Sequence, residues 1–154
     1  MLCAEFVKKV KNNEIDLVEH AQKIIEEAKE INKEYNYLNV ISEDLALQQA
    51  KEIKKQLKNP SQLKNKKLLG VPISVKDSIC VKDVESSAGS RILQGYKSLF
   101  DAFVIGKVKE QGGIIIGKTS QDEFGFGGFS VNVGIGFKVP KNPFDKERSC
   151  GGSS

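Results

Sequence analysis

The chain has 154 residues, 39% of them hydrophobic and 29% charged, with a formal net charge of +4 and an isoelectric point near 8.9. That length suffices for one domain with a buried core, and no apolar run reaches the roughly 18 residues that a membrane-spanning helix needs. Three widely spaced cysteines (Cys3, Cys80 and Cys150) make no disulfide framework. With His20 as the single histidine, the chain has neither the ligands of a zinc site nor much scope for a histidine-dependent triad.

The N-terminus, Met1 to Phe6, lacks the charged-then-apolar order of a secretory signal, so the expected location is cytoplasmic. The lysines of the first 70 residues alternate with glutamates, as on a solvated helix face. They form no basic block interleaved with aromatics, and direct nucleic-acid contact is only weakly signalled.

Taken in order, residues 2–12 and 16–32 read as two amphipathic helices broken at Asn12-Asn13. Leu17, Ala21, Ile24, Ile25 and Ala28 make an apolar stripe at helical spacing, and Asp16 is placed to cap it. Tyr37–Ile41 is strand-like. Ser42 or Glu43 opens a third helix through Leu57, with Leu45, Leu47, Ala50 and Ile53 as its buried side. Asn59-Pro60-Ser61 stops it, and Lys64–Lys67 reads as a lysine-rich solvated loop. These first 67 residues are expected to form a helical layer, with residues 68–154 starting an α/β core.

The character changes at Gly70–Asp77, Gly-Val-Pro-Ile-Ser-Val-Lys-Asp. Val71, Ile73 and Val75 alternate as in a buried strand, and Lys76 stands where that strand ends. Two readings stand for Lys76: a strand terminus whose amine reaches water, or an amine held in a dry pocket and acting as a base. Further on, Ser86–Ser90 is a small-residue loop leading to a short helix, Arg91–Gly95. Asp101–Gln111 is an amphipathic helix carrying Ala102, Val104, Ile105 and Val108, stopped by Gly112-Gly113. Ile114-Ile115-Ile116 has the composition of a strand buried on both faces. Helices and strands at this spacing predict an α/β fold with a mixed, mostly parallel sheet covered by helices.

From Ser120 onward glycine is frequent and periodicity is lost. Gly125-Phe126-Gly127-Gly128 and Gly134-Ile135-Gly136 fit no phosphate-loop pattern. Gly127 and Gly128 are instead candidates for a loop lining a substrate pocket, or for plain turn chemistry. Gly151-Gly152-Ser153-Ser154 is either a flexible tail or a corner that sets hydroxyls against a site. A serine without a histidine partner needs another base, and a lysine is the known substitute. Lys76 and Ser153 therefore make a chemically coherent pair.

Five segments, in order, resemble the amidase signature family. They are residues 70–77, Glu85–Leu93, Phe100–Val104, Ile116–Phe124 and the run from Asn142 to Ser154. Within that family the likeness is nearest to the A subunits of glutamyl-tRNA(Gln)/aspartyl-tRNA(Asn) amidotransferases, and it covers nearly the whole chain. The resemblance implies the N-terminal part of the amidase signature fold, incomplete in this chain. It also implies a Ser–cisSer–Lys triad in which Lys76 is the base and Ser153, reached through a cis peptide, is the bridging serine. The family's nucleophile lies further on, in a glycine-rich segment that also supplies the oxyanion amides. The chain is thus expected to be a truncated product or one half of a split protein, inactive alone and completed by the C-terminal remainder of the amidase.

The resemblance further implies glutamine as the amide hydrolysed. The ammonia then passes to the B subunit of such enzymes, which uses ATP and Mg²⁺ to amidate charged tRNA, converting Glu-tRNA(Gln) or Asp-tRNA(Asn). A small third component, the C subunit, wraps the pair. No cofactor or metal is expected on this chain itself, and no membrane partner. Two departures bear on substrate: Phe126-Gly127-Gly128-Phe129 replaces a Met-Gly-Ser-Ser-like loop, and Cys150 stands where proline is usual. A free-standing amidase for small amides and a non-catalytic assembly half stay open as alternatives.

Overall fold

The computed structural model describes residues 1–63 and 65–154; Lys64, read as part of the solvated loop, lies outside the described residues. Helices α1 (Cys3–Lys11), α2 (Leu17–Tyr35) and α3 (Glu43–Gln56) occupy the first part of the chain, with strand β1 (Leu38–Ile41) between α2 and α3. Strand β2 (Pro72–Lys76), helix α4 (Phe103–Glu110) and strand β3 (Ile114–Thr119) follow. Beyond β3 the described chain has a single 3-10 turn, Glu123–Gly125.

Helix α2 starts where Asp16 accepts hydrogen bonds from the main-chain N–H groups of Val18 and Glu19, as its capping chemistry predicts. It ends at Asn36, whose left-handed conformation (φ 55°) closes the last turn. Leu17, Ala21, Ile25 and Ala28 are buried along one stripe. In α3 the buried residues are Ala46, Gln49, Ala50 and Ile53, while Leu45 and Leu47 are only half-buried. The buried stripe is therefore rotated by about one residue from the predicted one. Gln49 lies inward because its Oε1 accepts the Ile115 N–H, and Ser42 Oγ donates to the Ile115 carbonyl. The two side chains satisfy main-chain groups of the central strand that would otherwise be buried and unpaired.

The sheet order is β1-β3-β2. β1 runs antiparallel to β3 and β2 runs parallel to it, so the sheet is mixed and the helical first part contributes one of its edges. β3 carries an irregularity opposite Ile73/Ser74, which moves its register by one residue before Gly117. Ile114 faces the core built by α1, α2 and α3, including Val10, Leu17, Ile25 and Ile53. Ile115 faces the other way, into a smaller core with Val75, Val81, Val84 and Ile105. The central strand is buried on both faces, as its composition predicts. Arg91–Gly95 is shorter than expected, a 3-10 turn over Arg91–Leu93. In α4 only Ile105 is buried; Phe103 and Val104 face outward, so the apolar stripe there is narrower than expected.

At Gly117 β3 runs close against β1. A Cβ at this position would collide with the Val40 carbonyl oxygen, which is main chain and cannot swing aside. Gly117→Ala is expected to destabilise the fold by roughly 1–3 kcal/mol or more, the range of overpacking. Chemical denaturation measures this, and an unchanged midpoint would contradict the β1–β3 pairing.

Candidate active site

β2 ends at Lys76, and its register partner on β3 is Thr119. Paired residues share a face of a sheet, and both of these side chains meet the end of the chain. Lys76 Nζ donates to Ser153 Oγ at 2.6 Å. Thr119 Oγ1 and Ser154 Oγ lie 2.9 Å apart. The Gly152–Ser153 peptide is cis. Lys76 and Ser153 are each half-buried. The structure thus brings the two residues together across 77 positions of sequence.

The corner is held from behind by Asp122, which is fully buried. Its main-chain N–H donates to the Ser153 carbonyl at 3.0 Å. Its carboxylate accepts the N–H groups of Ser130 (3.1 Å) and Asn132 (2.8 Å). Gly127 passes so close to this carboxylate that a Cβ would overlap it. At Gly152 a Cβ would sit 2.5 Å from the main chain of Gly128 and Phe129. Gly127 and Gly128, the candidate pocket-lining residues, are exposed in a loop docked directly on the corner, and the rings of Phe126 and Phe129 are both exposed.

The other face of the same strand pair holds buried groups that the segments 70–77 and 116–124 contain but to which neither gives a role. Asp77, immediately after Lys76, is fully buried and accepts from Asn39 Nδ2 (3.0 Å), Ser87 Oγ (2.5 Å) and the N–H groups of Ser87 (3.3 Å) and Gly89 (2.9 Å). Lys118, the neighbour of Thr119, is fully buried as well. Its Nζ donates to Ser86 Oγ (2.7 Å) and to the Asp77 carbonyl (3.1 Å), and lies 3.6 Å from the Asp77 carboxylate. Burial pushes the Lys118 amine below its ordinary value, and the Asp77 carboxylate opposes that shift. Gln121 ties the surrounding loops together: its Oε1 accepts from the Ser78 N–H and its Nε2 donates to the Ala88 carbonyl. A lysine inside an otherwise apolar central strand is the one signal in the sequence that could have found this cluster.

His20 is half-buried against the Phe6 ring (centroids 4.9 Å apart), and burial lowers its proton affinity. It belongs to the helical layer. The three cysteines are free. Among the described residues no group of three or more His, Cys, Asp or Glu gathers as a metal site, and no helix is long and apolar enough to cross a membrane.

A lysine amine thus meets a serine hydroxyl in a glycine corner beside a parallel strand pair. The profile of the Amidase family matches residues 19–154, and the chain belongs to that family. It is 44% identical over 146 residues to the Glutamyl-tRNA(Gln) amidotransferase A subunit of Clostridium kluyveri, covering 94% of this chain and 28% of that protein. It is 38% identical over 143 residues to the protein of the same name from Clostridium botulinum (strain Loch Maree), covering 93% of this chain and 29% of that one. The chain therefore spans less than a third of the length of these relatives. Among solved structures, the native peptide amidase of Stenotrophomonas maltophilia superposes with a TM-score of 0.85 at 22% identity, over 98% of this chain and 31% of that one. This likeness shows the fold.

Proposed function

We propose that the chain is the N-terminal part of the glutaminase component of a tRNA-dependent amidotransferase, and that Lys76 and Ser153 are two members of its Ser–cisSer–Lys triad. The observation that carries this reading is the 2.6 Å hydrogen bond between Lys76 Nζ and Ser153 Oγ. In this reading the nucleophilic serine comes from the remainder of the domain. Its proton passes through the Ser153 hydroxyl to the Lys76 amine, and the freed alkoxide attacks the amide carbon of glutamine. When the tetrahedral adduct collapses, the proton returns from the Lys76 ammonium through Ser153 to the departing nitrogen, which leaves as ammonia. Water then hydrolyses the acyl-serine by the same relay. The ammonia serves the B subunit, where ATP and Mg²⁺ activate Glu-tRNA(Gln) or Asp-tRNA(Asn), with the C subunit completing a cytoplasmic complex.

A second reading, a free-standing amidase for small amides, draws on Phe126 and Phe129, whose exposed rings flank the loop docked on Gly152. One experiment separates the two. The chain is fused to the segment that follows the matched region in the Clostridium kluyveri relative, and ammonia release is followed with glutamine and with a panel of small aromatic amides. The first reading predicts release from glutamine by the fusion and none by the 154-residue chain alone. Turnover of the aromatic amides without glutamine would favour the second, and glutamine hydrolysis by the chain alone would contradict the first.

A further inference from the structure

We infer that the buried Asp77–Lys118 pair is a positioning unit for Lys76, holding its amine both in place and in a neutral surrounding. The inference rests on the proposed role of Lys76, and its test requires no turnover. Asp77 follows Lys76 directly, so whatever fixes Asp77 fixes the main chain leaving the base. The Asp77 side chain is gripped by Asn39, Ser87 and Gly89, and its carbonyl by Lys118 Nζ. Strand β1 (through Asn39), the 86–89 loop and β3 (through Lys118) thus converge on one residue, and neither member of the pair has any exposure.

The pair also sets the charge near the base. A fully buried carboxylate with no cation beside it would favour the ammonium form of a neighbouring amine, and a buried cation alone would disfavour it. Together they present little net charge to Lys76, which lies on the opposite face of the strand pair. Titratable groups near the end of β2 include Asp77 in the following turn, Lys118 from β3, which reaches Asp77, and Asp122, whose N–H holds the Ser153 carbonyl. Asp122 is turned onto main-chain N–H groups and Glu123 onto Ser90, whereas Asp77 and Lys118 are turned onto each other. Removing one member of the pair therefore changes the charge that Lys76 feels, and removing the other changes it in the opposite sense.

The test is acylation of individual lysines in the 154-residue chain at constant pH and low salt, read by mass spectrometry. In Lys118→Met the unpaired Asp77 carboxylate is expected to slow labelling of Lys76 about threefold or more, the effect of a buried unit charge on a neighbouring face. In Asp77→Asn labelling of Lys76 is expected to hold or to rise. A role confined to packing predicts the contrary for Lys118→Met, because a loosened strand end exposes the amine and speeds its labelling. Unchanged or faster labelling of Lys76 in a folded Lys118→Met chain, or slower labelling in folded Asp77→Asn, overturns the inference. Folding is checked by circular dichroism. Should Lys118→Met fail to fold, the wild-type chain decides. A sealed pair predicts Lys118 labelled at least about tenfold more slowly than the exposed Lys8, and equal rates for the two overturn it.

Discussion

Lys76→Ala is expected to abolish glutamine hydrolysis by the chain fused to the remainder of the domain, lowering kcat by at least the roughly 10²–10⁴ typical of losing a general base. The effect is large because the site offers no substitute. His20, the single histidine, is committed to the helical layer beside Phe6. Lys118 is sealed on the other face of the sheet against Asp77 and Ser86. Asp122, the carboxylate behind the corner, already accepts two main-chain N–H groups. With the amine gone, the Ser153 hydroxyl also loses the partner that orients it. If the proposed assembly holds, transfer of free ammonia to charged tRNA should persist, since the proposal gives that chemistry to the B subunit. The check is ammonia release from glutamine beside ammonia-dependent amidation in the same preparation.

Ser153→Ala is the second large effect. The corner has a main-chain anchor that alanine preserves, because the Asp122 N–H donates to the carbonyl of residue 153 and not to its side chain. Gly152 still packs on Gly128 and Phe129. In the proposed relay, what disappears is the hydroxyl between the nucleophile and Lys76, so the proton has no path although the amine is present. A fall in kcat of about 10²-fold or more is expected, with KM little changed, the signature of an interaction used in the transition state. An equal loss in substrate affinity would instead make Ser153 part of the binding surface.

What could be read from the sequence divides along the line between local and long-range physics. Helix α2 was legible because its stripe and its Asp16 cap lie within the segment they organise. β3 was legible as a doubly buried strand because three consecutive β-branched isoleucines between Gly113 and Gly117 favour a short buried strand over a helix. The rotation of α3 was not legible, since Gln49 turns inward only to meet the Ile115 N–H, 66 residues away. The same holds for the sheet order, in which β1 pairs with β3 instead of with its nearer neighbour in sequence, β2.

The site shows the contrast more sharply. Lys76 and Ser153 could be paired on chemical grounds, because a serine lacking histidine needs another base. Asp77 and Asp122 could not be ranked that way, and Lys118 only by standing inside the apolar central strand. A charged residue at a strand end or in a loop reads as solvated until the chain is folded around it, and all three are fully buried. Gly127 reads as a pocket residue in the sequence, whereas the close approach that demands glycine there is to the Asp122 carboxylate.

In the proposed relay the Lys76 amine takes and returns a proton through Ser153, and Lys76→Arg in the fused enzyme isolates that step. Arginine keeps the positive charge and a hydrogen-bond donor near the Ser153 hydroxyl, but it cannot give up a proton at any working pH. If Lys76 is the base, ammonia release from glutamine by Lys76→Arg falls as far as in Lys76→Ala. If Lys76→Arg releases ammonia at close to the wild-type rate, the lysine is a structural charge and the relay is contradicted.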